Sequence, residues 1–215
     1  MHKNETGHSV AGTEQAAGVL VYVMGPSGAG KDTLIAGVGE MATGSLDTRP
    51  LHVAVRRITR PSGGGAEKHC PMTDAEFARA CQRGEFAMRW ESHGLSYGIS
   101  REIDGWLAAD AVVIVNGSRE YLPEAVKHYP RMIPVLIRVN PDVLRQRLTE
   151  RGRETPEVID ERIHRASLDI PDLPGLVVID NSGPPEAAVM AFSLLVRSLR
   201  EDTFEPRTPR SPCAA

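Results

Sequence analysis

Long apolar runs are missing from this 215-residue chain. Nothing in it approaches the roughly 18 consecutive apolar residues of a membrane-crossing helix, and the amino terminus, with Lys3, Glu5 and Glu14, lacks a signal-length apolar core. No membrane partner is expected. Cysteine is scarce as well: Cys70, Cys81 and Cys213 are odd in number and show neither C-x-x-C nor Cys/His ligand spacing. That excludes a disulfide framework and a structural metal site, and it fits a reducing, cytoplasmic setting. There is no excess of positive charge, since the net charge is −3 and the isoelectric point about 6.2. A nucleic-acid partner is therefore not expected. Internal repeats are absent too, and 41% hydrophobic with 25% charged residues is ordinary for one globular domain.

Residues 19 to 33 supply the chemistry. An apolar strand, Val19 to Met24, runs into Gly25-Pro26-Ser27-Gly28-Ala29-Gly30-Lys31-Asp32-Thr33. Glycines at 25, 28 and 30 permit a turn whose backbone N–H groups converge on a phosphate, with Lys31 at the positive end of the following helix. The spacing fits G-x-x-x-x-G-K, a cradle for a di- or triphosphate accompanied by Mg²⁺. The position after the lysine, usually Ser or Thr, holds Asp32. Three readings stay open there: Asp32 contacts the metal, Thr33 supplies the hydroxyl, or Asp32 only caps the helix.

Strand-like stretches recur at 19–24, 51–55, 111–115, 132–139 and 176–179. Helices are expected over about 31–42, from Thr73 (whose Glu76 completes a capping box) to Gly84, and after Ser100, Ser118, Asn140, Thr155 and Pro184. This alternation predicts an α/β fold, a parallel sheet flanked by helices. Residues 56–100 interrupt it with the Ser62-Gly63-Gly64-Gly65 loop, one helix and strand-like pieces near 85–90 and 95–99, and read as an inserted acceptor-binding subdomain. Residues 145–165 carry a glycine-hinged arginine turn, Glu150-Arg151-Gly152-Arg153-Glu154, with the composition of a mobile lid. One folded domain is expected over 18–201, with disordered ends at 1–17 and 202–215.

The loop, with Ile58-Thr59-Arg60, Asp74-Ala75-Glu76-Phe77, Gly84-Glu85-Phe86, Tyr97-Gly98, Arg147-Leu148, Arg151-Gly152 and Arg162, resembles the guanylate-kinase branch of P-loop kinases. The departures matter. Where guanylate kinases carry a second acceptor arginine, an acceptor tyrosine and a guanine-reading glutamate, this chain has Gly63, His69 and, nearby, Met88. A closer resemblance is to the ribose 1,5-bisphosphate phosphokinases of bacterial phosphonate catabolism. It is carried by Gly25 to Asp32, Arg56 to Pro61, His93 to Gly98, Glu102 to Leu107, Val115 to Arg119 and Leu144 to Glu154.

That resemblance implies ATP-dependent phosphorylation of a phosphorylated ribose to 5-phosphoribosyl 1-diphosphate. It implies that residues 25–33 hold ATP, that Arg57, Arg60, Tyr97, Asn116, Ser118 and Arg119 bind the acceptor, and that Arg151, Arg153 and Arg162 form the lid. Lys31, Arg151 and Arg162 would be the catalytic cations. Asn116 also reads as a turn residue before Gly117, Ser118 as a helix N-cap, and Arg119 as a first-turn surface residue. His69 and His93 read as loop residues facing solvent or acceptor, Trp90 and Trp106 as packing, and Asn181 as part of an Asp180-Asn181-Ser182-Gly183 turn. A nucleoside monophosphate kinase with an altered base pocket and an inactive guanylate-kinase-like interaction module are the rivals. Oligomeric state is not legible in the sequence.

Overall fold

The computed structural model describes residues 18–41, 48–61, 69–92, 94–167 and 173–204. The Ser62–Gly65 loop, His93, Cys213, residues 1–17 and all but the start of the carboxyl-terminal stretch lie outside these ranges.

Five segments pair as one parallel sheet in the order β2-β7-β1-β8-β9, its middle strands mostly buried and its edge strands partly exposed: β1 (Val19–Met24), β2 (Leu51–Val53), β7 (Val112–Asn116), β8 (Ile133–Arg138) and β9 (Val177–Asp180). Successive side chains of a strand point to opposite faces, and β1 shows the result. Val21 and Val23 pack into one core with α1 (Lys31–Met41), α5 (Pro141–Arg151), α6 (Pro156–Ala166) and α7 (Pro185–Arg200). Leu20, Tyr22 and Met24 pack on the other face, under α3 (Glu102–Ala108) and α4 (Leu122–His128). Burial on both faces explains why the central strands β1 and β7 are almost continuously apolar.

Between β2 and α3 the chain builds a second sheet in the order β4-β3-β6-β5, from β3 (Arg56–Ile58), β4 (His69–Pro71), β5 (Phe86–Ser92) and β6 (Leu95–Ser100). Helix α2 (Asp74–Gln82) covers it, and Phe77 and Ala80 form a small core with Phe86. The capping box of Thr73 and Glu76 is present in full, with Thr73 Oγ1 accepting from the Glu76 N–H and Glu76 Oε2 accepting from the Thr73 N–H. Both expected strands here, near 85–90 and 95–99, are found. β3 and β4 were not expected, because three residues are too few to show a period.

Trp90 stacks on Tyr97 with ring centroids 5.5 Å apart and lies 5.9 Å from Tyr121, while Trp106 stacks on His52. Both tryptophans therefore pack between elements, as expected. His69 belongs to β4 rather than to a loop. Ser118 is not a helix N-cap, for α4 starts at Leu122 behind Tyr121. Its Oγ instead accepts from the Glu120 N–H, making a local turn. No helix among the described residues is long and apolar enough to cross a membrane.

Candidate active site

All five parallel strands end on one side, and their carboxyl ends present the turns where ligands bind in such sheets. After β1 the backbone enters the glycine loop. Gly25 has φ 152°, and a Cβ there would lie 2.5 Å from the Ile137 carbonyl oxygen. Gly30 has φ 85°, and its Cβ would meet Asn181 Nδ2 at 2.5 Å. Only glycine fits either place. Lys31 Nζ donates to the carbonyls of Gly25 and Pro26 at 2.8 and 2.9 Å, so the ammonium arches over the loop at the amino end of α1.

The loop is held from beneath by a residue of the turn after β9. Asn181, at the end of β9, is 2% exposed, and its Nδ2 donates to the Ala29 carbonyl at 2.7 Å. A buried carbonyl left without a donor would be destabilised, so the asparagine fixes the loop's path. Its turn identity was visible in sequence; its reach across 152 positions was not.

Asp32, in the first turn of α1, sits in a polar cluster. Its Oδ1 accepts from Asn116 Nδ2 at 2.7 Å and from Arg56 Nη2 at 3.3 Å. Asn116 ends β7, is 5% exposed, and keeps a buried Oδ1 with no hydrogen-bond partner. Arg56 is not among the residues expected at the acceptor, whereas its neighbour Arg57 is. The alternation of β3 turns Arg56 toward the phosphate loop and sends Arg57 to the other face. There Arg57 pairs with Glu85 at 3.2 Å and lies 6.0 Å from the Phe86 ring centre. Arg57 is thus directed away from the loop.

Arg60 follows β3, and its Nη2 lies 3.4 Å from His69 Nδ1, while His69 Nε2 lies 3.3 Å from the Arg60 carbonyl. A neutral ring protonated at Nε2 satisfies both contacts. Tyr97 stands opposite Ile58 in the β3–β6 register, on Trp90. Met88, near the position of the guanine-reading glutamate of guanylate kinases, is 1% exposed and belongs to the core cluster that includes Tyr22, Ile99 and Ile103.

The Asn116-Gly117-Ser118-Arg119 turn is anchored by Tyr22. This buried phenol donates to the Ser118 carbonyl at 2.8 Å and accepts from the Ser118 N–H at 3.0 Å, and burial raises its pKa. Arg119, lowered in pKa by burial, reaches the Ala166 carbonyl at the end of α6, at 3.5 Å. It is half-buried.

The arginine turn lies between α5, which ends at Arg151 with Gly152 left-handed at φ 63°, and α6. Arg162 Nη1 donates to Ser27 Oγ at 2.8 Å, bringing α6 to the phosphate loop. Arg151 and Arg162 both pair with Glu154. Arg153 is exposed.

Asp32, a hard oxygen donor in the first turn of α1, is of a kind that fits magnesium. Among the described residues no cluster of three His, Cys, Asp or Glu side chains forms a metal cage. A hard oxygen donor at Asp32 beside a phosphate cradle is the arrangement Mg²⁺ takes, with phosphates and water completing its shell.

The ribose 1,5-bisphosphate phosphokinase of Desulfomicrobium baculatum is 47% identical over 165 residues, covering 77% of this chain and 87% of that relative. The enzyme of the same name from Burkholderia pseudomallei is 46% identical over 181 residues, covering 84% and 96%. Among solved structures, guanylate kinase from Anaplasma phagocytophilum superposes with a TM-score of 0.58 at 15% identity, covering 89% of each chain, which shows a shared fold. No family model matches the chain.

Proposed function

The chain belongs to the ribose 1,5-bisphosphate phosphokinases, and from this we propose that it transfers the γ-phosphoryl group of ATP to the 1-phosphate of ribose 1,5-bisphosphate, yielding 5-phosphoribosyl 1-diphosphate and ADP, within phosphonate breakdown in the cytoplasm. The observation that carries the reading is the convergence of the glycine loop, Asp32, Asn116, Arg56 and Arg162 at the carboxyl ends of the sheet.

The reaction needs little covalent help from the protein. An oxygen of the 1-phosphate attacks the γ-phosphorus, the bond to the β-phosphate oxygen breaks, and ADP leaves with that electron pair. A phosphate monoester has its second pKa at about 6, so the nucleophile is already ionised at neutral pH and no general base is required. The protein's task is to hold two polyanions in line and offset their repulsion. Backbone N–H groups from Gly28 to Thr33, with Lys31, hold the donor phosphates. Arg56 and Arg60 hold the acceptor phosphates, with Asn116 and Tyr97 for the ribose hydroxyls, and Arg151 and Arg162 face the transferring group. The forked guanidinium suits this better than an ammonium. Asp32, with Thr33 at the next position, would hold magnesium, which supplies further neutralisation of the phosphates when bound.

A coupled ADP-release assay with ribose 1,5-bisphosphate, GMP and AMP tests this assignment, since consumption of the sugar bisphosphate alone is expected. Lys31→Ala is expected to keep its circular dichroism spectrum and lose about 10³-fold or more in kcat. Turnover near wild type in the folded variant, or GMP as the preferred acceptor, would overturn the reading.

A further inference from the structure

Glu154 lies at the centre of the α5–α6 turn. Its side chain is 9% exposed, although Arg153 and Thr155 on either side are exposed. Oε1 accepts a hydrogen bond from Nη2 of Arg151 and forms an ion pair with Nη2 of Arg162 at 3.3 Å. Arg162 uses its other terminal nitrogen on Ser27 Oγ. One carboxylate oxygen therefore joins the last residue of α5, the body of α6 and the phosphate loop.

Stability is a poor explanation for this triad. Burying ionised groups carries a desolvation penalty that the pairing repays only when the remaining lone pairs and protons are satisfied. They are not: Glu154 Oε2 and Arg162 Nε are buried without hydrogen-bond partners. A network left incomplete is less stable than an apolar one of the same shape. What the carboxylate does supply is geometry, because two guanidinium groups side by side repel each other, and a shared counter-charge holds them together.

We infer that Glu154 is a positioning residue, which sets Arg151 and Arg162 side by side at the mouth of the phosphate loop so that both face the γ-phosphate of a bound nucleoside triphosphate. This rests on reading the glycine loop as the nucleotide site. The contacts run through the arginines, so removing Glu154 acts on a ligand chiefly where the arginines touch it, the Arg162–Ser27 bond being a lesser route through the loop. ADP, which lacks the γ-phosphate, is the built-in control.

The experiment is calorimetric binding of ADP and of β,γ-imido ATP to the full chain and to Glu154→Gln, Glu154→Ala, Arg151→Ala/Arg162→Ala and the triple variant, with kcat and KM for each. Glu154→Ala is expected to leave ADP affinity within about threefold, weaken the triphosphate analogue about tenfold or more, and lower kcat by roughly 10–100-fold. Glu154→Gln keeps the shape and one acceptor oxygen and should recover part of the loss, and it carries the same comparison if the alanine variant does not fold. In the double-arginine background, adding Glu154→Ala should change analogue affinity by less than about twofold. Equal weakening of ADP and the analogue, an undiminished loss in that background, or unaltered analogue binding would overturn the inference. No acceptor enters these binding measurements, so an error in the acceptor assignment would appear separately, as a wild-type protein that binds the analogue yet does not consume ribose 1,5-bisphosphate.

Discussion

Arg56 and Arg57 are neighbours in the chain, yet they stand on opposite faces of a sheet. The first donates to Asp32 in the phosphate loop's helix, and the second pairs with Glu85 beside the Phe86 ring. Arg56→Ala should therefore raise KM for ribose 1,5-bisphosphate by about tenfold or more, the loss of a charge-assisted partner, while Arg57→Ala should change it less than about threefold. Steady-state kinetics on the two variants would read the difference directly, and the reverse order would show that Arg57 carries the acceptor. Asn181 acts on the donor side. Asn181→Ala would leave the Ala29 carbonyl buried and unpaired, which is expected to cost about 1–3 kcal/mol in denaturant titrations. KM for ATP should rise as well, since the loop's path is no longer fixed.

Among the elements, α2 is the one whose boundary is set by local chemistry. The Glu76 carboxyl is held below its ordinary pKa chiefly by hydrogen bonds from the Thr73 N–H and hydroxyl, with a smaller contribution from Arg79. A group whose pKa is lower folded than unfolded binds its proton more weakly in the folded state, so its contribution is present above the ordinary glutamate range and disappears as pH falls through the folded value. Thr73→Ala should thus lower Tm at neutral pH by about 2–4 °C, and the gap to wild type should narrow below the ordinary glutamate range. A gap independent of pH would mean that the box contributes only the neutral hydroxyl bond. Because α2 covers the second sheet through Phe77 and Ala80, the same variant tests whether that sheet depends on its helix.

At the scale of the whole molecule, a chain of net charge −3 concentrates cations where two polyanions must meet. Arg56, Arg60, Arg162 and Lys31 come from β3, its following turn, α6 and α1, and the parallel sheet is what brings these elements to one edge. Met88 is sealed in the core and has no polar group to offer a purine edge, and the His69 ring lies against Arg60. GMP should accordingly be at least about 10³-fold poorer than ribose 1,5-bisphosphate by kcat/KM, in line with several polar base contacts left unmade. Comparable values for the two acceptors, in the same ADP-release assay, would mean that a base pocket exists elsewhere in the fold.

What the sequence determined by itself are the features whose cause is local. The glycine loop between β1 and α1, the capping box at Thr73, the proline-led starts of α5 and α6 and the apolar strands of the main sheet each follow from a few consecutive residues and their dihedral or burial preferences. The family resemblance was legible for the same reason, since its motifs are short and ordered. Tertiary structure alone decided which of two adjacent arginines faces the phosphate loop, because that depends on how β3 is set into its sheet. It alone placed Asn181 under Ala29 and Glu154 between Arg151 and Arg162, for such contacts join segments that share no periodicity. The three-residue strands β3 and β4 exist only because their neighbours supply the hydrogen bonds that so short a stretch cannot specify for itself.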